Sequence, residues 1–210
     1  MKLFVDSNYL SPYAMSVFVG LREKSLNFET RLVDLDKAEN HSSHFAGLAI
    51  TQRVPAIDDK GFRLCESSAI CEYLEDTYPG LLLYPQNLTH KAKAREIQAW
   101  LRSDLMAIRE ERTTDFVFLK PVAPALSDKA KLATTKLFSA AEQLIPVGSN
   151  SLFAQWCIAD TDLALMLNRL IFAGDPVPAR LAEFAAFQWQ RPSVQEWVKL
   201  ANKSSTKSGN

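Results

Sequence analysis

The stretch Leu10–Leu21 reads LSPYAMSVFVGL. Just upstream, Leu3-Phe4-Val5 is a short apolar run of strand character. Inside the stretch, Ala14, Val17, Phe18 and Leu21 recur at spacings of three and four, the period of a helix with one apolar face. Ser11-Pro12 stands at the join. Pro12 suits the first helical position, where its φ is preset and its missing N–H would have had no partner. Ser11 is then the N-cap, its hydroxyl accepting from an open backbone N–H. A strand therefore hands over to a proline-started helix within a few residues.

The alternation continues outward. Phe28–Asp34 reads as a second strand and Lys37–Leu48 as a polar, weakly helical stretch. Val54–Ile57 is a short strand, Asp58-Asp59-Lys60-Gly61 a turn, and Phe62–Cys65 the returning strand. Ser68, Ile70, Cys71 and Leu74 begin another helix. The order is β-α-β-α-β-β-α over residues 1–80. Tyr78-Pro79-Gly80 stops that helix, and 81–89 reads as a linker. Residues 90–202 then change texture. Ala94, Ile97, Leu101, Leu105 and Ile108 predict one long amphipathic helix, and Ala130, Ala133, Leu137, Ala140 and Leu144 repeat the pattern. Leu163–Leu167 is apolar on every side, so its helix belongs at the centre of a bundle. Two more helices split at Pro192. The polar segment 203–210 is expected to be disordered. The expectation is an α/β domain followed by an all-α helical bundle.

Composition narrows the function classes. The 210 residues are 47% hydrophobic, enough for a core, and 24 basic side chains balance 24 acidic ones. That balance gives no electrostatic reason to expect nucleic acid or an anionic membrane as partner. No apolar run reaches the ~20 residues of a membrane helix. Met1–Asp6 meets an acid too soon for a secretory signal, and Cys65, Cys71 and Cys157 read as reduced, packed thiols. The expected location is the cytoplasm. His41 and His44 read as surface residues, so no metal is expected. Trp100, Trp156, Trp189 and Trp197 read as core, and Arg109-Glu110-Glu111-Arg112 as a solvated, self-paired surface.

The chemistry begins at Ser11. A strand followed at once by Cys-Pro-Tyr-Cys or a similar run opens the thioredoxin-like fold. Here the run is Ser11-Pro12-Tyr13-Ala14, with no thiol at either end. A helix start favours nearby negative charge through its dipole and its N–H groups. With serine in place of cysteine, that field acts on a sulfur the protein does not own, and the hydroxyl can donate a charge-assisted bond to it. Two further segments suit such a ligand. Val54-Pro55 opens the hairpin; were its peptide bond cis, the Val54 backbone would face the site and pair with a peptide. The sequence leaves that open. Glu66-Ser67-Ser68 precedes a helix, where Ser67 either simply caps it or holds a carboxylate while Glu66 meets an ammonium group. Gln52 and Arg53 precede Val54, and Arg53 can meet a second carboxylate.

With Ser11-Pro12-Tyr13, Val54-Pro55, Glu66-Ser67-Ser68-Ala69-Ile70, "CIADTDLALM" at 157–166 and "QRPSVQEW" at 190–197, the chain resembles the cytosolic glutathione transferases along nearly its whole length. The resemblance implies a thioredoxin-like domain that binds glutathione as co-substrate and a helical domain that builds most of the pocket for a small electrophile or peroxide. It also implies a homodimer. It implies that Val54 pairs with the cysteinyl backbone and that Glu66 and Ser67 hold the γ-glutamyl end, while Ser11 aligns with a position that some classes fill with a catalytic cysteine. Ser11 cannot form a mixed disulfide. Asn8, Tyr9 or a backbone N–H are the other candidate sulfur contacts. Tyr9, Ser103 and Met106 are candidates for the second-substrate pocket. The family's buried capping box, Ser or Thr with Asp three residues on, is here Cys157 and Asp160. Half of it survives through Asp160, a structural residue. The alternatives are a non-catalytic dimerisation or interaction module and a glutathione-dependent isomerase or dehalogenase.

Overall fold

The computed structural model describes residues 1–120 and 122–207, with side chains to Ser204; residues 208–210 of the expected tail lie outside the described residues. The chain forms two compact units. The first is Met1–Leu83 together with the segment from Ser193 on; the second is Tyr84–Pro192.

The first unit carries the expected order. Strands β1 (Lys2–Asp6), β2 (Glu29–Val33), β3 (Ala56–Asp59) and β4 (Phe62–Cys65) make one sheet in the order β2-β1-β3-β4. β1 and β2 run parallel, and both other pairings are antiparallel. Helix α1 (Pro12–Glu23) is buried on every side from Ala14 to Leu21, helix α3 (Ser67–Thr77) buries one face, and the crossover through α1 supplies the long connection that a parallel pair needs. Val33, Phe45, Leu48, Ala49, Ala56 and Cys65 form a further apolar cluster, with Phe4 and Val54 against it. The weak helical pattern of 37–48 resolves into a 3-10 turn, Glu39–His41, and a four-residue helix α2, Ser43–Ala46. The hairpin differs from expectation by two residues. β3 starts after Pro55 and runs to Asp59, and the turn is Lys60-Gly61, with φ of +54° and +95°. Two left-handed central residues match the right-handed twist of the strands, and glycine meets that demand without steric cost.

The second unit holds α4 (Leu88–Ser103), α5 (Met106–Glu111), α6 (Thr114–Phe118), α7 (Asp128–Leu144), α8 (Ile158–Ile171) and α9 (Ala179–Trp189). α8 is buried on nearly every side, as its all-round apolar sequence predicts. The single long helix predicted over 94–108 is instead two. Asp104 accepts from the Leu105 N–H (2.7 Å) and the Trp100 indole N–H (2.9 Å), and Leu105 takes φ +59°. A carboxylate that bonds its local backbone competes with the helical ladder and ends it. Arg109–Arg112 is also not a solvated surface. Arg112 is 1% exposed and clasps Asp175 with two N–H groups, at 2.6 and 2.9 Å. Its carbonyl accepts from buried Arg169 at 2.7 Å. Of the four tryptophans only Trp197 is fully buried; Trp100, Trp156 and Trp189 are half-buried.

Two boundaries move. The expected linker is anchored at its centre. Leu83 and Tyr84 are buried, and α4 begins at Leu88 with Asn87 accepting from the Thr89 and His90 N–H groups. Helix α10 (Pro192–Lys207) covers 203–207 of the expected tail, and from Ser193 on it groups with the first unit. Trp197 is fully buried there, edge-on to Tyr9 (5.1 Å between centroids) and Phe18 (5.3 Å). Glu196 pairs with Arg22 at 2.6 Å, and the Ser204 hydroxyl donates to the Asn8 carbonyl at 2.9 Å. Among the described residues no helix is long and apolar enough to cross a membrane.

Candidate active site

The register of the sheet gathers the predicted segments. Phe4 lies beside Ala56, and Ala56 beside Cys65. Because β3 is antiparallel to both neighbours, the end of β1, the start of β3 and the end of β4 sit at one end of the sheet. Ser11 follows the first, Val54-Pro55 precedes the second, and Glu66-Ser67 follows the third. Three stretches up to 56 residues apart in sequence are thereby neighbours.

Ser11 is the N-cap of α1, with extended backbone (φ −69°, ψ 116°), and Pro12 is the first helical residue. The hydroxyl accepts from the Ala14 N–H at 3.2 Å, which leaves its own hydrogen to donate outward. Behind it lies Asp6, 5% exposed, whose two carboxylate oxygens accept from the N–H groups of Leu10 (2.6 Å) and Ser11 (3.0 Å). Burial pushes the Asp6 carboxyl above its ordinary value, against the pull of those bonds. The sequence reading passed over Asp6 because an acid at a strand end looks like a turn residue. Tyr9 stands between them with φ +55°. Burial, then the Asp6 charge, raises its phenol, which stays protonated at neutral pH. Tyr9, Asn8, Leu32, Asp36, Lys37 and Leu200 line a cleft of about 800 Å³ within the first unit.

The Val54–Pro55 peptide bond is cis. Gln52 just ahead of it has φ +51°, and its side chain is held from the 3-10 turn: its Oε1 lies 3.0 Å from His41 Nδ1, and Asn40 donates to its carbonyl at 2.9 Å. His41 is exposed, as expected, and in addition holds the Gln52 side chain; that reach across a turn is not encoded in residue spacing. Arg53 is exposed. Glu66 is exposed with φ +74° and is itself the N-cap of α3, making no side-chain cap bond. Ser67, for which capping is one of the two readings, is the first helical residue and is buried. Simple capping by Ser67 therefore does not account for this helix start.

Each of the three segments contains one non-glycine residue in left-handed backbone: Tyr9, Gln52 and Glu66. Such conformations cost on the order of 1 kcal/mol each and persist where the surroundings impose them, often at ligand sites. Ser103 and Met106 belong to the second unit. Ser103 donates to the Ala99 carbonyl at 2.9 Å, and Met106, 47% exposed, receives an Arg109 N–H. The break at Asp104 puts them on different helices. Asp160 is fully buried in the second unit and accepts from the N–H groups of Leu152 (2.7 Å) and Cys157 (2.8 Å). Burial lifts its carboxyl to about 6.

Comparison with known proteins agrees with this geometry. A family model described as "Glutathione S-transferase, N-terminal domain" matches residues 10–77, and one described as "Glutathione S-transferase, C-terminal domain" matches residues 87–203. A Burkholderia glutathione transferase homolog, solved with bound glutathione, is 43% identical over 96% of this chain and 97% of that one, with a TM-score of 0.78. Mouse glutathione S-transferase theta-1 is 36% identical over 50% of this chain, and Arabidopsis thaliana glutathione S-transferase T1 is 25% identical over 97% of this chain and 84% of its own length. The match spans about half the length of the mammalian relatives, 43% for the mouse protein. A sheet that assembles Ser11, a cis Val54-Pro55 and Glu66-Ser67 at one end, followed by a bundle centred on α8, accords with both family models: the chain belongs to the glutathione S-transferase family.

Proposed function

We propose that the protein is a glutathione-dependent transferase that binds glutathione on its first unit and presents the thiolate to a small electrophile, hydroperoxide or disulfide. The carrying observation is the convergence of the three segments at one end of the sheet. In this reading the Ser11 hydroxyl donates to the glutathione sulfur, and the field at the start of α1 lowers the thiol pKa. Val54 pairs, strand-like, with the cysteinyl backbone beyond Pro55. Glu66 meets the γ-glutamyl ammonium, and Ser67 its carboxylate. Gln52 and Arg53 take the glycyl end. The thiolate then attacks an electrophilic carbon, a peroxide oxygen or a disulfide sulfur; the protein supplies orientation and field while the nucleophile is the co-substrate's. Tyr9 walls the second-substrate side, and Ser103 and Met106 are assigned to the same substrate from the second unit. The family resemblance extends the reading to a cytoplasmic homodimer with no metal.

Calorimetry with glutathione, followed by turnover against aryl halides, hydroperoxides and mixed disulfides, tests this. Binding with turnover of at least one class is expected. Absence of binding at millimolar glutathione removes the reading and leaves an interaction module. Ser11→Ala is expected to lose tenfold or more in kcat with little change in glutathione affinity.

A further inference from the structure

Asp6 is not among the residues that meet glutathione in the reading above, yet it sits directly behind Ser11. It is 5% exposed at the end of β1. One carboxylate oxygen takes the Leu10 N–H at 2.6 Å and the other the Ser11 N–H at 3.0 Å, while the Asp6 carbonyl takes the Tyr9 N–H at 3.1 Å. One side chain and its own carbonyl thus tie down three of the five residues between strand and helix. Two oxygens each accepting an N–H are the bonding pattern of the ionised form. The bonds have two consequences. The Ser11 N–H is consumed, so the hydroxyl is what remains of Ser11 to meet a sulfur. Asp6 also places a buried negative charge directly behind Ser11, to which the reading above gives the sulfur, and low local dielectric keeps its repulsion strong.

We propose that Asp6 is a positioning and tuning residue for the proposed reaction: it locks Ser11 through its N–H and, by its charge, keeps the bound glutathione thiolate basic enough to be a strong nucleophile. The inference rests on the transferase reading. Its physical basis is the balance between thiolate fraction and reactivity. The α1 field and the Ser11 hydroxyl lower the thiol pKa, and a thiolate stabilised too far loses nucleophilicity, with a Brønsted slope of about 0.4–0.5. An anion behind the serine opposes that loss. Tyr9, on its own turn, is the ionisable group that feels the Asp6 charge, while Asp34, Asp36 and Lys37 after β2 and Lys203 on α10 line the cleft beside Tyr9. None of them is altered when only Asp6 is changed.

The test is ultraviolet titration of the glutathione thiolate bound to the full chain, for the native protein, Asp6→Asn, Asp6→Ser and Asp6→Glu, with melting to confirm folding. Asp6→Asn and Asp6→Ser are expected to lower the bound thiol pKa by about 0.5–1.5 units. Saturated turnover of one aryl halide above that pKa is expected to fall by about 1.6- to 6-fold, with glutathione affinity changed less than about threefold. Asp6→Glu, which keeps the charge, is expected to hold the pKa within about 0.3 units of native. Folded Asn and Ser variants whose bound thiol titrates at the native value overturn the role of Asp6, and a pKa that rises overturns tuning by its charge. A native protein that binds glutathione without ionising it overturns the transferase reading instead, a result visible before any variant is made.

Discussion

Ser11 is held at both ends, its N–H by Asp6 and its hydroxyl by the Ala14 N–H, so a truncation there acts on stability and chemistry separately. Ser11→Ala removes a cap worth about 1 kcal/mol, which melting reads apart from kcat. Asp160 is the opposite kind of residue. Asp160→Ala strands the buried N–H groups of Leu152 and Cys157 and is expected to cost roughly 2–4 kcal/mol in denaturant unfolding, with glutathione affinity of the folded protein unchanged. Normal melting with lost binding contradicts this. Its titration has a definite sign. Burial raises its carboxyl from 3.8 to about 6, so the folded state binds the proton more tightly than the unfolded state. The contribution is full below pH 4 and is lost as pH rises through 6. Relative to Asp160→Asn, native stability is therefore expected to fall between pH 4 and 6. Single residues of this kind were legible where chemistry is local: Pro12 as a helix start and Asp160 as the acid of a capping box, although the box is complete rather than half, the Cys157 side chain also taking the Asp160 N–H. Asp6 was not, because its importance lies in what folds back onto it.

At the scale of elements, apolar runs bounded by turn residues marked nearly every helix and strand of the first unit, and among α1, α2 and α3 only α3 shows a clean buried face, at Ser67, Ile70, Cys71 and Leu74. Periodicity failed where a side chain overrides the period. The apolar spacing runs unbroken through Leu105, but Asp104 captures the Leu105 N–H and ends α4. The Lys136 ammonium, with that N–H and the Trp100 indole, holds the Asp104 carboxyl down at about 2. A depressed carboxyl contributes stability above its unfolded value of 3.8 and loses it as pH falls through 2. Between pH 4 and 2 the native protein is therefore expected to lose stability more steeply than Asp104→Asn. Because both partners are largely in water, the effect is small. Equal slopes for the two proteins would show that the carboxylate does not hold the break. The left-handed residues Tyr9, Gln52 and Glu66 were illegible for a related reason. None is glycine or asparagine, so the sequence carries no mark of the conformation its neighbours impose.

At the scale of the molecule, sequence adjacency misplaced α10. Its apolar period reads like that of the bundle helices before it, and nothing in a linear pattern says that Trp197 seeks Tyr9 and Phe18, nearly two hundred residues earlier. The clasp of Arg112 on Asp175 was hidden in the same way, by separation along the chain. Trp197→Ala is expected to cost about 3–5 kcal/mol, the usual loss for a fully buried aromatic. It is also expected to raise the KM for glutathione, because Tyr9 and the turn bearing Ser11 lose their backing. A melting loss below about 1 kcal/mol would mean that α10 does not support that turn.

The late position of α10 has a consequence for biosynthesis. A chain growing on the ribosome releases its sheet first, then the whole of 84–192, and only afterwards the tryptophan that covers Phe18. Throughout that interval the nascent first unit carries an uncovered aromatic patch, and the turn bearing Ser11 is braced only after Trp197 has cleared the exit tunnel.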